Sequence, residues 1–439
     1  MKTIVLDIGT TTISAVVLDN QDQSVVQART IANGSFIDNG NEWERIQDVS
    51  VIIPKAKALL DELLEVHTDV KAIGLTGQMH GILYLIDEGR CISPLYTWQD
   101  GRGDLPVESL GGRTTVAWIR EESDLPAATG FGLVTNLYHT KTGQVPADAK
   151  CMCTAEDFLG MLLTGRSRPL IHSSNAASFG FYDSKNGCFL KDVIARSGMD
   201  CSMLPEVTDA VAVLGTYRGI PVTVALGDNQ ASFMGSVGME EECWLLNVGT
   251  GGQSSVLSDT FFEAPGIESR PYIDGKYLLV GCSLCAGRSY AILEKFFRAY
   301  AKALGAGDKE QYAVMEKLIT GEDLHGDHMQ VVTKFKGTRT DPDVRGSITG
   351  LSEDNFTPQS MIIGVLSGMA QELYDMYSLI HEGTGIRVKR LLGSGNGVRK
   401  NKTLQTIFSE MFGCALELSP FEEEAASGAA VSAAFAVKA

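Results

Sequence analysis

The chain has no run of 18 or more apolar residues, so no membrane-spanning helix is expected. Its start, MKTIVLDIG, lacks the apolar core and small-residue cleavage site of a secretory signal, so a cytoplasmic protein is expected. Positive charge is scarce. Lys and Arg number 37 against 54 Asp and Glu, which leaves a net charge of −17 with no long basic tract as an exception. Such a chain repels phosphate backbones, and neither nucleic acid nor a membrane is expected as partner. The nine cysteines are too few for a disulfide framework in 439 residues. The Cys282/Cys285 and Cys151/Cys153 pairs are too far apart in sequence to read as one zinc site, so buried reduced thiols are expected. A Lys-bearing phosphate loop of the GxxxxGK[ST] type is also missing.

What the chain does have is a repeat. LDIGTTTISAVVLD at residues 6–19 returns as LNVGTGGQSSVLSD at 246–259. Without a gap the two share Leu6/Leu246, Gly9/Gly249, Thr10/Thr250, Ser14/Ser254, Val16/Val256 and Asp19/Asp259. One copy per half is not a solenoid, whose period would be tens of residues. It predicts two related domains, here 1–235 and 236–439, joined by a tight hinge because no Pro- or Ser-rich linker separates them.

Each copy predicts a hairpin: strand Lys2–Ile8 returning over Ile13–Leu18, and strand Cys243–Val248 returning over Gln253–Leu257. Apolar residues at helical spacing, Ile46, Val49, Ile53, Ala56, Leu60 and Leu63, predict a helix over 46–64. Val70–Leu75 reads as a buried strand ending in TGQMHG, and Glu156–Leu163 as a helix stopped by Gly165. Pro221–Leu226 predicts a strand, with Gly227-Asp228-Asn229 opening the next helix. Thr357-Pro358 is an N-cap followed by Pro at the first helical position, for a helix running to about Ile380. Leu391-Leu392 ends a strand, GSGNG leads into a helix bearing Leu404, Ile407, Phe408 and Met411, and a small-residue helix covers about Glu422–Phe435.

A Gly-Thr hairpin turn presents N–H groups and hydroxyls together, which suits an anion. With no Lys in either turn, charge neutralisation falls to a metal. Asp7, at the end of the first strand, suits hydrated Mg²⁺, whereas the second copy carries Asn247 there. One acid kept and one lost fits a single metal site.

DIGTTTISA, NVGTGG, ALGDNQAS, GSGNGVRKN and EAASGAA together resemble, in order along the whole chain, the motif series of the FGGY carbohydrate kinases. The resemblance implies an α/β fold of two ribonuclease-H-like domains of the actin/hexokinase/Hsp70 type flanking an ATP cleft. It implies ATP and Mg²⁺ as cofactors, a small ketose as substrate, and a homodimer as the borrowed expectation for assembly. Within the family, TGQMHGILYL, SPLYTWQDGR, ATGFGLVTNL, SNAASFGFYD and VTVALGDNQASF are most similar to the branch acting on the seven-carbon ketose sedoheptulose. A xylulose or other pentulose kinase is the alternative. An actin- or Hsp70-like ATPase is the alternative from another class, and it has no use for the sugar motifs.

The resemblance assigns roles. Asp228 becomes the catalytic base and, with Asp7, a metal ligand. Thr10, Thr11 and Thr12 are expected on the phosphates from one domain, and Gly249, Thr250 and Gly251 from the other. Gly393, Gly395 and Asn396, with Asn401 and Gly287, are expected around the nucleotide. Gln78, Met79, His80, Trp98, Asp100, Arg102 and Asn229 are expected at the sugar. His325 and His328, in EDLHGDH, read as a solvated loop rather than a metal cluster.

Overall fold

The computed structural model describes residues 1–338, 341, 343–420 and 423–438. They gather into two compact units. The first holds Met1–Gly238, Arg270–Lys276 and the described residues of the 421–439 tail; the second holds Met239–Ser269 and Tyr277–Pro420. Each has its own apolar core. Among the described residues no helix is long and apolar enough to cross a membrane.

In the first unit, β1 (Lys2–Ile8) and β2 (Thr12–Asp19) form the expected hairpin, with Ile8 opposite Ile13, and β3 (Val25–Ala32) extends it antiparallel. After β4 (Ile46–Gln47) and α1 (Val49–Val66), β5 (Val70–Gly77) pairs parallel to β1. A strand covered on both faces needs a continuous apolar run, and Ile4, Val5 and Leu6 have no exposure at all. Then come α2 (Ala155–Thr164), α3 (Ser173–Ser178), β6 (Val213–Tyr217), β7 (Ile220–Thr223), β8 (Leu226–Gly227) and α4 (Asp228–Ser236). The sheet order is β6-β7-β5-β1-β2-β3, with β8 also on β5.

Two expectations shift here. The helical pattern over 46–64 begins too early: Ile46 belongs to β4, and Asp48 starts the helix by accepting the Ser50 N–H. The strand expected over Pro221–Leu226 is broken into β7 and β8. The helix stopped by Gly165 forms as expected, with that residue left-handed at φ +71°.

The second unit repeats the plan. It has β9 (Cys243–Val248), β10 (Gly252–Ser258), β11 (Ile267–Pro271, whose last two residues belong to the first unit), β12 (Tyr277–Ser283), α5 (Gly287–Ala303) and α6 (Pro358–Thr384). β13 (Arg390–Ser394), α7 (Asn396–Arg399), α8 (Lys402–Phe412) and β14 (Leu416–Leu418) follow. The order is β11-β12-β10-β9-β13-β14, antiparallel from β12 through β10 to β9 and parallel from β9 onward. Both units therefore place an antiparallel meander beside parallel strands, the ribonuclease-H-like arrangement. Thr357 caps α6, which runs one turn beyond Ile380, and β13 continues past Leu392 through Gly393 and Ser394.

The repeat is not register-perfect. In the first hairpin Asp7 faces Ser14, whereas in the second Asn247 faces Gln253, not Ser254. The second turn closes one residue sooner because Gly252 already pairs with Val248. The Ser14/Ser254 identity is thus a coincidence of ungapped alignment.

The chain returns to the first unit as α9 (Glu424–Lys438); the expected start, Glu422, lies outside the described residues. Its small residues pack it tightly on α4, where a Cβ on Gly428 would strike the Ala231 carbonyl. In the HGDH loop His325 is exposed and 3.4 Å from the Glu410 carboxylate, while His328 is half-buried with Nε2 2.6 Å from the Asp323 carbonyl.

Candidate active site

The turn between β1 and β2 is anchored through its carbonyls. Asn33 Nδ2 donates to Gly9 O at 2.8 Å, the Asn33 N–H donates to Thr11 O at 2.8 Å, and Gln47 Nε2 donates to Thr10 O at 2.7 Å. With those carbonyls occupied, the turn has N–H groups and the exposed Thr11 and Thr12 hydroxyls to offer an anion. Thr10 differs from the expectation for it. Its one hydroxyl hydrogen goes to Gln78 Oε1 at 3.0 Å, and the same oxygen accepts from Trp98 Nε1 at 3.0 Å. The hydroxyls this turn has to offer an anion are therefore those of Thr11 and Thr12.

Asp228 opens α4 directly after β8. The preceding Gly227 N–H donates to Ser174 Oγ at 3.0 Å, and that hydroxyl donates to His172 Nδ1 at 2.9 Å. Burial keeps His172 neutral, its pKa pushed down to about 4. Asn229 Oδ1 accepts from Arg270 Nη1 at 2.8 Å. Burial raises the Asp228 pKa to about 6, against the opposing pull of the Asn229 N–H and the Arg270 charge. Asp7 is raised to about 7, first by burial, then by the charges of Asp228 and Glu423. Both acids keep some solvent-accessible surface, yet protein surrounds them closely enough to strip much of their hydration.

Two carboxylates that repel each other in a poorly hydrated place are a donor set suited to a hard divalent cation. Among the described residues no third His, Cys, Asp or Glu joins them as a metal-ligating group. That suits Mg²⁺, which keeps waters and takes only one or two protein carboxylates.

Two further acids were not singled out in the sequence. Glu156 and Asp157 fall at the start of the helix expected over Glu156–Leu163, where acids are a common and bland pattern. In the structure both are buried. Asp157 Oδ2 accepts from Thr154 Oγ1 at 2.8 Å and Asn175 Nδ2 at 3.2 Å, while neither Glu156 oxygen has a hydrogen-bond partner. The Glu156 carboxyl fills the space beside Gly77, where a Cβ would lie 2.9 Å from Oε2. Burial, then Asp157, then Asp228 push Glu156 well above the carboxylate range, which favours its neutral form; burial brings Asp157 to about 7.

The residues expected at the sugar divide into two groups. Trp98 is 47 % exposed and His80 half-buried. His80 sits at φ +72°, stacks on Phe131 at 4.7 Å, and places Nδ1 2.7 Å from Ser178 O. A carbonyl only accepts, so Nδ1 carries a proton. The rest face inward. Met79 packs on the Gly227 backbone, and the Gln78 side chain is spent on Thr10 and Gln47. Asp100 and Arg102 were expected to meet hydroxyls; instead they form a buried ion pair, with Nε–Oδ1 at 2.5 Å and Nη2–Oδ2 at 3.0 Å. Arg102 also reaches Glu44 at 3.3 Å and His139, and lies 4.4 Å over the Tyr96 ring. So engaged, the buried pair braces the loop that carries Trp98.

In the second unit, the residues expected at the nucleotide gather at the end of β9. The start of α5 seals the turn: Gly287 N–H donates to Gly249 O at 3.1 Å and Arg288 N–H to Thr250 O at 3.0 Å. Only glycine fits at 287, since a Cβ would run into the Gly249 carbonyl. The Gly249 N–H is used inside the turn, on Gly251 O at 3.0 Å, which leaves Thr250 and Gly251 as the N–H groups for an anion. Gly395, at φ +80°, folds over the Val248 carbonyl, and Asn396 opens α7 there. Gly393 lies beneath Val398. Asn247, standing where the first unit has Asp7, donates to Ser394 Oγ at 2.8 Å. Asn401 departs from expectation: its side-chain oxygen caps α8 through the Leu404 N–H at 2.8 Å.

The raised acids give a pH signature. Asp7, Asp157, Asp228 and Glu156 all hold protons more tightly folded than unfolded. Their contribution is full below about pH 4 and is lost as pH rises through their folded values. The metal-free melting temperature should therefore fall from about pH 5 to about pH 8. Glu156→Gln should flatten that fall, and a variant curve parallel to wild type would contradict the assignment of Glu156 as a buried neutral acid.

Residues 2–235 match the model of the FGGY family of carbohydrate kinases, N-terminal domain, and residues 245–437 match its C-terminal domain. A sedoheptulokinase of Mus musculus is 26 % identical over 447 aligned residues, covering 92 % of this chain and 91 % of that protein. Among solved structures, xylulose kinase from Rhodospirillum rubrum superimposes with a TM-score of 0.85 at 23 % identity, covering 99 % of this chain and 90 % of that one. Plasmodium falciparum glycerol kinase with ADP gives 0.81 at 20 % identity, covering 100 % and 90 %. The structural likenesses bear on the fold, which is of the actin/hexokinase type. The two domain matches, spanning nearly the whole chain, identify the family: the chain belongs to the FGGY carbohydrate kinases.

Proposed function

We propose that this carbohydrate kinase transfers the γ-phosphoryl of MgATP to the terminal hydroxyl of a ketose, with sedoheptulose the preferred acceptor. The observation that carries the proposal is Asp228: a carboxylate raised to about 6 at a helix start, sharing its surroundings with Asp7. The sugar assignment rests on likeness to the sedoheptulokinase relative and on the GQMHG and TWQDGR loops. Likeness to a solved xylulose kinase favours a pentulose as the second reading.

In this reading residues 1–235 carry the sugar and the base, and 236–439 carry the adenosine side. The exposed Trp98 face and His80 orient the sugar. Asp228, mostly ionised at neutral pH, accepts the hydroxyl proton. Its pKa is far below that of an alcohol, so it takes the proton late, as bonding to the phosphoryl group develops. Thr11 and Thr12 in the first turn, and the Thr250 and Gly251 N–H groups in the second, hold phosphate oxygens. Asp7 and Asp228 would hold Mg²⁺, which supplies charge neutralisation at the phosphates. Most of the acceleration comes from positioning and electrostatics, since little covalent work is left to the protein.

Asp228→Asn keeps size and helix position but removes the proton acceptor. Turnover should drop by about 10²-fold or more; near wild-type turnover would remove Asp228 from the role of base. The acceptor is tested by kcat/KM for D-sedoheptulose, D-xylulose, D-ribulose and L-ribulose on one enzyme preparation. Sedoheptulose should lead by roughly 10- to 100-fold, at about 1.4 kcal/mol per factor of ten. A lead for xylulose would overturn the sugar and leave the chemistry standing.

A further inference from the structure

Gln47 lies on β4 with no solvent exposure, outside every motif that points to the sugar or the phosphates. Its Nε2 donates to Thr10 O at 2.7 Å, and its Oε1 accepts from Gln78 Nε2 at 2.8 Å. Gln78 Oε1 accepts in turn from the Thr10 hydroxyl at 3.0 Å. The three side chains and the Thr10 carbonyl make a closed ring. Trp98 Nε1 joins it by donating to the same hydroxyl at 3.0 Å.

The direction of every bond in the ring is forced. A carbonyl can only accept, so the nitrogen of Gln47 faces Thr10 and its oxygen faces Gln78. That turns the Gln78 nitrogen toward Gln47 and its oxygen toward Thr10, which must then donate its single hydroxyl hydrogen. The Thr10 oxygen is left to accept, and the indole N–H of Trp98 can only donate. Both ends agree, so every bond in the ring joins a donor to an acceptor, and such closed networks are rigid.

The ring spans two segments with no regular structure of their own: the Gly9–Thr11 turn and the loop that carries Trp98. The turn presents the exposed Thr11 and Thr12, while Trp98 presents an exposed aromatic face. Phosphoryl transfer needs acceptor and phosphate held at near-attack distance, and a misplacement of about 1 Å can cost about 10²-fold. We propose that Gln47 is a positioning residue that fixes the Trp98 sugar platform against the phosphate-facing turn. This rests on the reading of Trp98 as a sugar contact and of the turn as a phosphate contact.

The test is Gln47→Met, which keeps length and burial but breaks both of its bonds. With whichever ketose the wild type phosphorylates, kcat should fall by about 10- to 100-fold. KM for ketose and for ATP should stay within about threefold, since the substrate contacts themselves are intact. Gln47→Met/Gln78→Met should lose no more than the worse single variant, because both break one ring. A thermal melt establishes that each variant is folded. A second readout needs no substrate: hydrogen exchange of the Trp98 indole N–H, assigned with Trp98→Phe, should be faster by about tenfold or more in Gln47→Met. Unchanged exchange, unchanged kcat, a raised KM at constant kcat, or multiplicative losses in the double variant would each overturn the proposal. If no ketose is phosphorylated, the proposed function fails, and the exchange result still decides whether Gln47 holds the ring.

Discussion

Asp7 and Asp228 are two acids whose burial disfavours ionisation, and the charge of Asp228 raises the cost further at Asp7. One ends β1 and the other begins α4, so the sheet's order brings two distant parts of the chain together. Burial withdraws water from both, and at Asp7 the charges of Asp228 and Glu423 add to that cost. A folded protein keeps such an arrangement when something else relieves it at work. Arg270 relieves it in part, through its charge on Asp228 and its bond to Asn229. The remainder calls for a cation, and the neighbouring turn, with its carbonyls tied down by Asn33 and Gln47, is disposed toward anions. In the proposed function this local chemistry would serve a metal-bound polyanion.

The two units show how one scaffold is used for different ends. Both set a glycine-rich hairpin turn beside parallel strands. In the first unit the position before the turn is Asp7; in the second it is Asn247, which bonds Ser394 and so helps fasten the GSGNG loop to β9. An acid there would sit against a hydroxyl with no counter-charge in the ring of contacts described. The substitution converts a charged site into a structural one. The turns diverge too: the second is one residue tighter and is sealed by the start of α5, while the first is held by side chains from β3, β4 and β5 neighbours.

Local signals were legible in the sequence because local physics fixes them. The hairpins, the Thr357 cap, the Gly165 stop and the start of α4 at Asp228 all follow from neighbours a few residues away. The early helix start at Ile46 failed because apolar spacing continued by chance across the Asp48 cap. The acidic pair at 156–157 was invisible for another reason: the same two letters serve an exposed helix start, and only tertiary burial makes Glu156 a neutral acid beside Gly77. Arg270 and Gln47 were missed likewise, since each acts through partners far away in sequence. Asp100 and Arg102 show the reverse case. Their motif was legible, but only the structure reveals the buried ion pair they make with each other.

The central claim is that Asp7 and Asp228 form a cation site. The direct measurement is the shift in melting temperature that millimolar Mg²⁺ produces in the ligand-free protein, taken at about pH 8 and about pH 5.5. The account predicts a rise that is larger at the higher pH, where both acids are ionised, and that disappears in Asp7→Ala. A rise of equal size in Asp7→Ala, or no rise in the wild type at either pH, would contradict it.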